Sequence, residues 1–179
     1  VCDLDSNRLN EGKVLVDDFY KEKKGKKRYN ATKIYSDYRE MIINKDIDAV
    51  MISTPDHWHA QPAIEAALAG KDIYLQKPTS LTVKEGRQLV DVVKSRNVIL
   101  QVGTQQRAMP QFRIAAELVR NGRIGKLQTV KIGLPGDPSG PDADPMPIPK
   151  NLNFDMWLGS TPQIPYTEIG VHPQQGYTR

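Results

Sequence analysis

Short runs of apolar and β-branched residues alternate with longer stretches in which apolar residues recur every three or four positions, up to about residue 123. The short runs predict strands, and the longer stretches predict helices. Strands alternating with helices of about 10 to 15 residues are typical of crossover units, which build a parallel sheet with helices on both faces. The predicted strands cover residues 1–4, 47–53, 72–75 and 98–102, and the predicted helices cover residues 7–24, 36–44, 60–69 and 110–121, with another beginning after Thr82.

Local sequence signals mark several helix ends and buried faces. Thr82 and Glu85 have capping-box spacing, in which each side chain bonds the other residue's backbone N–H. Ser6 is expected to cap the first helix, and Gly25 to end it. The expected inward residues are Leu9, Val14, Phe19 and Tyr20 of the first helix, Tyr38, Met41 and Ile42 of the second, and Leu89, Val90 and Val93 after the capping box.

The pattern changes after Gly122. Residues 127–132 alternate in the manner of a half-exposed strand, and six prolines follow between Gly133 and Lys150, a composition typical of a loop. We therefore predict one α/β domain over residues 1–123 and the beginning of a second over residues 124–179. The chain opens on a strand-like segment at Val1, so we expect a fragment of a longer protein.

Composition narrows the class of protein only a little. The 179 residues are 39% hydrophobic and 26% charged with a net charge of +4, which is ordinary for a globular domain. Apolar runs are only a few residues long, so no membrane-spanning segment is expected. Cys2 is the single cysteine and cannot form an internal disulfide. A lone thiol fits a reducing compartment, and a cytoplasmic location is expected.

Polar residues follow the predicted strands, where open α/β sheets bind ligands. Asp3 could accept hydrogen bonds from a ribose and repel a 2′-phosphate, or it could cap the next helix. Lys77 could hold a substrate proton if a pocket desolvates it, or it could be a solvated turn residue. The other strand-end segments are Ser53-Thr54-Pro55, Gln76-Lys77-Pro78 and Gly103-Thr104-Gln105-Gln106-Arg107. In the last of these segments, the amides and the guanidinium could bind a cofactor or cap the next helix.

Two further features could indicate metal binding or nucleic-acid binding, but a structural explanation is favoured for each. His57 and His59 have the spacing of metal ligands, but no cysteine or carboxylate cluster completes a site, so no metal is expected and a structural role is favoured. The basic run over residues 21–28 lies at a helix C-terminus without interleaved aromatics, which indicates a solvated face rather than nucleic-acid binding.

The strand-end segments, taken in order, resemble the glucose–fructose oxidoreductase/inositol dehydrogenase (Gfo/Idh/MocA) family along the whole chain. The matching segments are Asp37-Tyr38-Arg39-Glu40-Met41, Asp48-Ala49-Val50, Ser53-Thr54-Pro55, His59, Ala69-Gly70-Lys71, Lys77-Pro78, Glu85-Gly86-Arg87, Val102-Gly103, Arg107, Asn121-Gly122-Arg123-Ile124-Gly125-Lys126 and Trp157-Leu158-Gly159. Gln76 replaces the family's usual Glu and removes a charge beside Lys77, and Asp56 replaces its usual Asn.

The resemblance implies a Rossmann-like doubly wound sheet that lacks its first strand, followed by the start of an α+β substrate and oligomerisation domain. It implies NAD as the cofactor, with NADP less favoured because of Asp3. The family's Gly-rich loop and its downstream Asp and His partners have no counterpart here, and His172 does not match them. It implies Lys77 as the catalytic residue, Asp3, Arg8, Ser53, Thr54, Pro55, His59, Gln76, Lys77, Pro78 and Gln105 as cofactor-binding residues, and Lys77, Arg107 and Trp157 at the substrate.

The resemblance predicts hydride transfer between nicotinamide and a sugar, cyclitol or sugar derivative. Two alternatives stay open at this point: a redox-neutral relative that cleaves a glycosidic bond through transient oxidation, and a non-catalytic binding remnant. The expected partners are a carbohydrate and further copies of the same protein, because family members often form homo-oligomers. Neither a nucleic acid nor a membrane is an expected partner.

Overall fold

A parallel three-stranded sheet forms the centre of the computed structural model, which describes residues 1–24, 29–134, 144–171 and 174. The strands are β1 (Ala49–Ile52), β2 (Asp72–Gln76) and β3 (Leu100–Gly103), in that spatial order. The sequence prediction of a parallel α/β sheet is thereby confirmed for the strands predicted over residues 47–53, 72–75 and 98–102. The strand predicted over residues 1–4 is wrong, because that segment pairs with no strand of the described residues and forms only an isolated bridge from Cys2 to Tyr35. The helices are α1 (Ser6–Lys24), α2 (Tyr38–Ile42), α3 (Ala60–Leu68), α4 (Val83–Arg96), α5 (Gln105–Ala108), α6 (Pro110–Arg120) and α7 (Phe154–Leu158), and a 3₁₀ turn covers Asp56–Trp58.

One face of the sheet is buried against α2, α3 and α4. Alternate strand residues point into this core, because successive side chains of a strand lie on opposite faces. The alanines of α3 let that helix approach the sheet closely. The opposite face carries Met51, which is 69% exposed in the part of the chain that the structure describes. The core residues are Ile42, Val50, Ile52, Ala63, Ala66, Ala67, Ile73, Leu75 and Leu89.

The predicted capping box at the start of α4 is confirmed. The Glu85 backbone N–H donates to Thr82 Oγ1 at 3.2 Å, and the Thr82 N–H donates to Glu85 Oε2 at 2.8 Å. Leu89 is buried as expected, whereas Val92 rather than Val90 packs beside Val93 against the core. The two reciprocal bonds fix where α4 begins, so the loop after β2 has a defined length.

Asp5, and not the expected Ser6, caps α1. The Asp5 carboxylate accepts hydrogen bonds from the backbone N–H groups of Asn7 at 2.8 Å and Arg8 at 3.4 Å. Ser6 is therefore already the first helical residue. The inward face predicted for α1 is also only partly correct: Leu9 is buried, but among the other three, Val14 and Phe19 are 57% and 51% exposed.

Residues from the last third of the chain return to its beginning. Leu152 forms an antiparallel bridge with Asp5, and the Asn153 N–H donates to the carbonyl of Leu4 at 3.0 Å. The five-residue α7 contributes to a small core there. The domain boundary near residue 123 stays a prediction. The second core consists of Leu152, Phe154, Leu158 and Tyr166.

The strand predicted over residues 127–132 is wrong. These residues are irregular, and Leu127, Val130 and Ile132 are 55%, 67% and 80% exposed. A strand needs a neighbour to satisfy its backbone groups, and no strand of the described residues lies beside this segment. Gly25, part of the proline-rich stretch and His172 lie outside the described residues. No helix within the described ranges is long and apolar enough to cross a membrane.

We predict that Leu75→Ala destabilises the protein strongly. Leu75 is fully buried in the central strand, so its truncation leaves a cavity between the sheet and the helices. The free energy of unfolding should fall by about 2–5 kcal/mol in urea titrations followed by circular dichroism. Leu81→Ala is the matched control, because Leu81 is 60% exposed and its truncation creates no cavity. An equal loss in both variants would contradict the assignment of the core.

Candidate active site

Three strands of the sheet end at the same edge. Ile52 of β1 is paired with Leu75 of β2, and Gln76 of β2 is paired with Gly103 of β3. The segments that follow these strands, which begin at Ser53, Lys77 and Thr104, therefore emerge beside one another. The edge predicted from the order of motifs along the chain is thus present, and Lys77 is one strand away from Thr54.

Gln76 connects the ends of β2 and β3. Its Oε1 accepts hydrogen bonds from the Lys77 backbone N–H at 2.9 Å and from Gln105 Nε2 at 3.0 Å. Gly103 makes this possible, because a Cβ at that position would lie 2.8 Å from the same oxygen. The backbone of Lys77 and the side chain of Gln105 are consequently held in fixed relation to each other.

Lys77 and Pro78 form an exposed corner, and the peptide bond between them is cis. Of the two alternatives open for Lys77, the exposed corner corresponds to the solvated turn residue. The carbonyl of Pro78 accepts a hydrogen bond from Nδ1 of His59, a side chain that is only 1% exposed. His59 Nε2 is buried, with no hydrogen-bond partner among the residues described. His59 thus lies beneath the edge and supports the corner, and its role in binding a cofactor stays a prediction.

A cavity of about 910 Å³ opens beside this edge. Its walls come from the N-terminal segment, from β1 with the loop that follows it, and from the region around α7. Arg107 is exposed in α5 and does not line this cavity. The predicted site residues that line it are Asp3, Arg8, Ser53, Thr54, Pro55 and Trp157, whereas His59, Gln76, Lys77, Pro78 and Gln105 do not.

The chemistry of the cavity fits the nucleoside part of a dinucleotide. Asp3 presents an exposed carboxylate, an acceptor suited to ribose hydroxyls, and Arg8 supplies a cation on the same side. Burial raises the pKa of the neighbouring Cys2 thiol to about 11, so Cys2 stays neutral at physiological pH. The sequence contains no G-x-G-x-x-G segment, so these residues offer no Gly-rich cradle for a pyrophosphate.

A contact that the sequence did not predict fixes the wall of the cavity formed around α7. The carbonyl oxygen of Trp157 accepts hydrogen bonds from His57 Nε2 at 2.8 Å and from Trp58 Nε1 at 2.9 Å. The acceptor is a backbone atom, and every residue type carries one, so the sequence could not predict this contact. The segment Thr54-Pro55-Asp56-His57-Trp58-His59 is therefore fixed at its middle to α7 and at its end to Pro78. No group of three or more His, Cys, Asp or Glu side chains suited to a metal lies together in the described ranges.

Comparison with known proteins agrees with this architecture. Residues 9–104 match the model of an oxidoreductase family with an NAD-binding Rossmann fold. The chain is 38% identical over 123 residues to the uncharacterised oxidoreductase YrbE of Bacillus subtilis, with 69% of this chain and 36% of that protein covered. It is 37% identical over 101 residues to levoglucosan dehydrogenase of Pseudarthrobacter phenanthrenivorans, with 56% and 26% covered.

A solved structure supports the same relationship. The crystal structure of myo-inositol 2-dehydrogenase from Lactobacillus plantarum superposes with a TM-score of 0.55 at 33% identity, over 70% of this chain and 33% of that one. The parallel sheet and the match to an NAD-binding Rossmann fold together place the chain among the nucleotide-binding α/β proteins. The chain belongs to the Gfo/Idh/MocA oxidoreductase family, as the resemblance predicted. It spans between a quarter and two fifths of the length of the relatives described here.

We predict that Asp5→Ala weakens the wall formed by the N-terminal segment. Asp5 is 2% exposed, and its Oδ1 accepts from the N–H groups of Asn7 and Arg8 and from Asn151 Nδ2, so removal takes an acceptor from all three and, among the residues described, leaves Asn151 Nδ2 only its bond to Gln174. The free energy of unfolding should fall by about 1–3 kcal/mol, measured by chemical denaturation. Asp5→Asn keeps an acceptor oxygen and should lose clearly less. Equal losses in the two variants would show that the oxygen is not the stabilising group.

Proposed function

We propose that the full-length protein is an NAD(H)-dependent oxidoreductase that acts on a hydroxyl carbon of a sugar, cyclitol or sugar derivative. The observation that carries the proposal is the arrangement at the sheet edge: Ser53-Thr54-Pro55 and Lys77 follow neighbouring parallel strands, and Asp3 lines the cavity beside Ser53-Thr54-Pro55. Membership in an oxidoreductase family with an NAD-binding fold supports it independently.

The nicotinamide supplies the redox step by accepting or returning a hydride, and the protein positions and polarises the reactants. In this proposal Asp3 accepts hydrogen bonds from the ribose hydroxyls at the adenosine end. The loop Ser53-Thr54-Pro55 packs against the cofactor closely, because its first residues are small. Gln76 and Gln105, which are already joined by a hydrogen bond, form the adjoining surface at the ends of β2 and β3.

Lys77 is assigned to the proton that leaves the substrate hydroxyl. Oxidation of an alcohol releases a hydride and a proton, so a group beside the reacting carbon must hold or relay that proton. Lys77 is exposed at the sheet edge, and its backbone is held through Gln76 and through the contact between His59 and Pro78. These contacts limit the movement of the corner while leaving Lys77 Nζ able to reach a substrate, whose hydroxyl proton it accepts as the neutral amine.

The carbohydrate class rests on the relatives. One similar protein is named for levoglucosan, an anhydrosugar, and the similar crystal structure is named for myo-inositol, a cyclitol. Both substrates are polyhydroxylated rings, which present several equivalent hydroxyl groups to a hydride acceptor. Arg107 is proposed as a further substrate contact. A homo-oligomeric state and a cytoplasmic location stay predictions for the full-length protein.

Asp3 should govern the choice between NAD and NADP. Its carboxylate can bond a ribose 2′-hydroxyl, whereas a 2′-phosphate there would be repelled by the like charge. We expect the full-length protein to bind NAD more tightly than NADP, and Asp3→Ala to narrow the difference, in calorimetric titrations of both nucleotides. Asp3→Asn should narrow the difference between the two affinities by a similar amount, since this variant also removes the charge. Equal affinities in the wild type would assign the selection to another residue.

Lys77→Met should lower kcat by about 10²-fold or more on the true substrate, because the proton relay is lost. The Kd for NAD should stay within about threefold of wild type. Lys84→Met is the matched control, since Lys84 is exposed on α4 and should keep normal turnover. Steady-state kinetics over a panel of cyclitols and sugars provides the measurement. Normal turnover by Lys77→Met would show that Lys77 does not relay the proton. Formation of products without net production of NADH would favour the redox-neutral alternative.

A further inference from the structure

One backbone oxygen is shared by two aromatic N–H donors that lie far from it in sequence. His57 Nε2 and Trp58 Nε1 both approach the carbonyl oxygen of Trp157, at 2.8 and 2.9 Å, across 100 and 99 positions of the chain. A carbonyl oxygen only accepts hydrogen bonds, so His57 carries a hydrogen on Nε2. Both lone pairs of this oxygen are thereby used.

The local structure around α7 leaves this oxygen available. The carbonyls in the last turn of a helix have no partner within the helix, and Trp157 is the second-last residue of α7. Gly159 follows with φ of +56°, and a Cβ there would lie 2.5 Å from Cζ2 of Trp58. The helix end, the glycine and the indole of Trp58 thus fit together as one contact.

This contact fixes the backbone from which the side chain of Trp157 projects. The Trp157 indole is half-buried and lines the same cavity as Asp3 and Arg8. Its ring meets the His57 ring edge-on with 5.4 Å between centroids, and it stacks on Phe154 at 6.0 Å. The indole therefore contacts two rings, and its backbone is held by two hydrogen bonds, while it borders the space assigned to the nucleotide.

We propose that His57 and Trp58 are positioning residues for cofactor binding, which hold the Trp157 indole as an aromatic wall against which a ring of the dinucleotide packs. The inference rests on the proposed function, and it moves Trp157 from the substrate to the cofactor. A flat aromatic wall binds a nucleotide ring by stacking, which needs a fixed orientation of the indole. Loss of the tether therefore weakens binding of the nucleotide rather than the chemical step.

The test measures the Kd for NADH by fluorescence titration of the full-length protein, with thermal stability recorded in parallel. His57→Phe keeps an aromatic ring but removes the donor, and we expect the Kd to rise about three- to tenfold, the range that one neutral hydrogen bond supports. The change should fall on the Kd and on KM for NAD, with kcat at saturating NAD changed much less. His57→Gln restores an N–H donor and should recover most of the affinity.

Trp157→Ala keeps the backbone carbonyl and removes the indole, so it should weaken NADH binding at least as much as His57→Phe. Wild-type affinity in either His57→Phe or Trp157→Ala would overturn the inference, as would a Gln variant as weak as the Phe variant. Because Trp157→Ala does not touch the two donors, it decides the question even if His57→Phe unfolds. A wild-type protein that binds NADH with the variants unaffected refutes this inference alone, whereas a wild type that binds no NADH refutes the proposed function as well.

Discussion

The parallel pairing of β2 with a strand on each side is the constraint on which the site depends. Ile52 lies beside Leu75, and Gln76 lies beside Gly103, so three strand ends that are far apart in sequence reach one edge together. This register is specified by burial, since a shift of one residue would turn Ile73 and Leu75 away from the helices. The energy that fixes the core also fixes the distance between the loop Ser53-Thr54-Pro55 and Lys77.

Supports beneath the edge then reduce its freedom of movement. Gln76 joins the ends of β2 and β3, and His59 bonds the carbonyl of Pro78 from a fully buried position. Neither side chain needs to contact a ligand in order to matter, because each fixes the backbone from which a contacting residue projects. Pre-organisation of this kind lowers the entropic cost of ordering a site when the ligand arrives.

Sequence reasoning succeeded where local chemistry decides the structure. The capping box of Thr82 and Glu85 involves a segment of only four residues. The three strands of the sheet were predicted from the apolar runs in the sequence. It failed where a distant partner decides. Residues 127–132 alternate correctly for a strand but have no neighbour within the described ranges, and the bonds from His57 and Trp58 end on a backbone oxygen. The side chain of Asp5, which caps α1 in place of Ser6, also accepts a hydrogen bond from Asn151. Asn151 is too distant in sequence for local signals to reveal this contact.

The bond between Asp5 and Asn151 has a consequence for biosynthesis, since its partners are separated by 146 positions. A ribosome adding about 5–20 residues per second adds the second partner roughly 7–30 seconds after the first. The cap formed with the amides of Asn7 and Arg8 is available to the nascent chain at once, so α1 can begin without waiting. The wall that carries Asp3 is therefore completed only after the segment around Asn151 has been made.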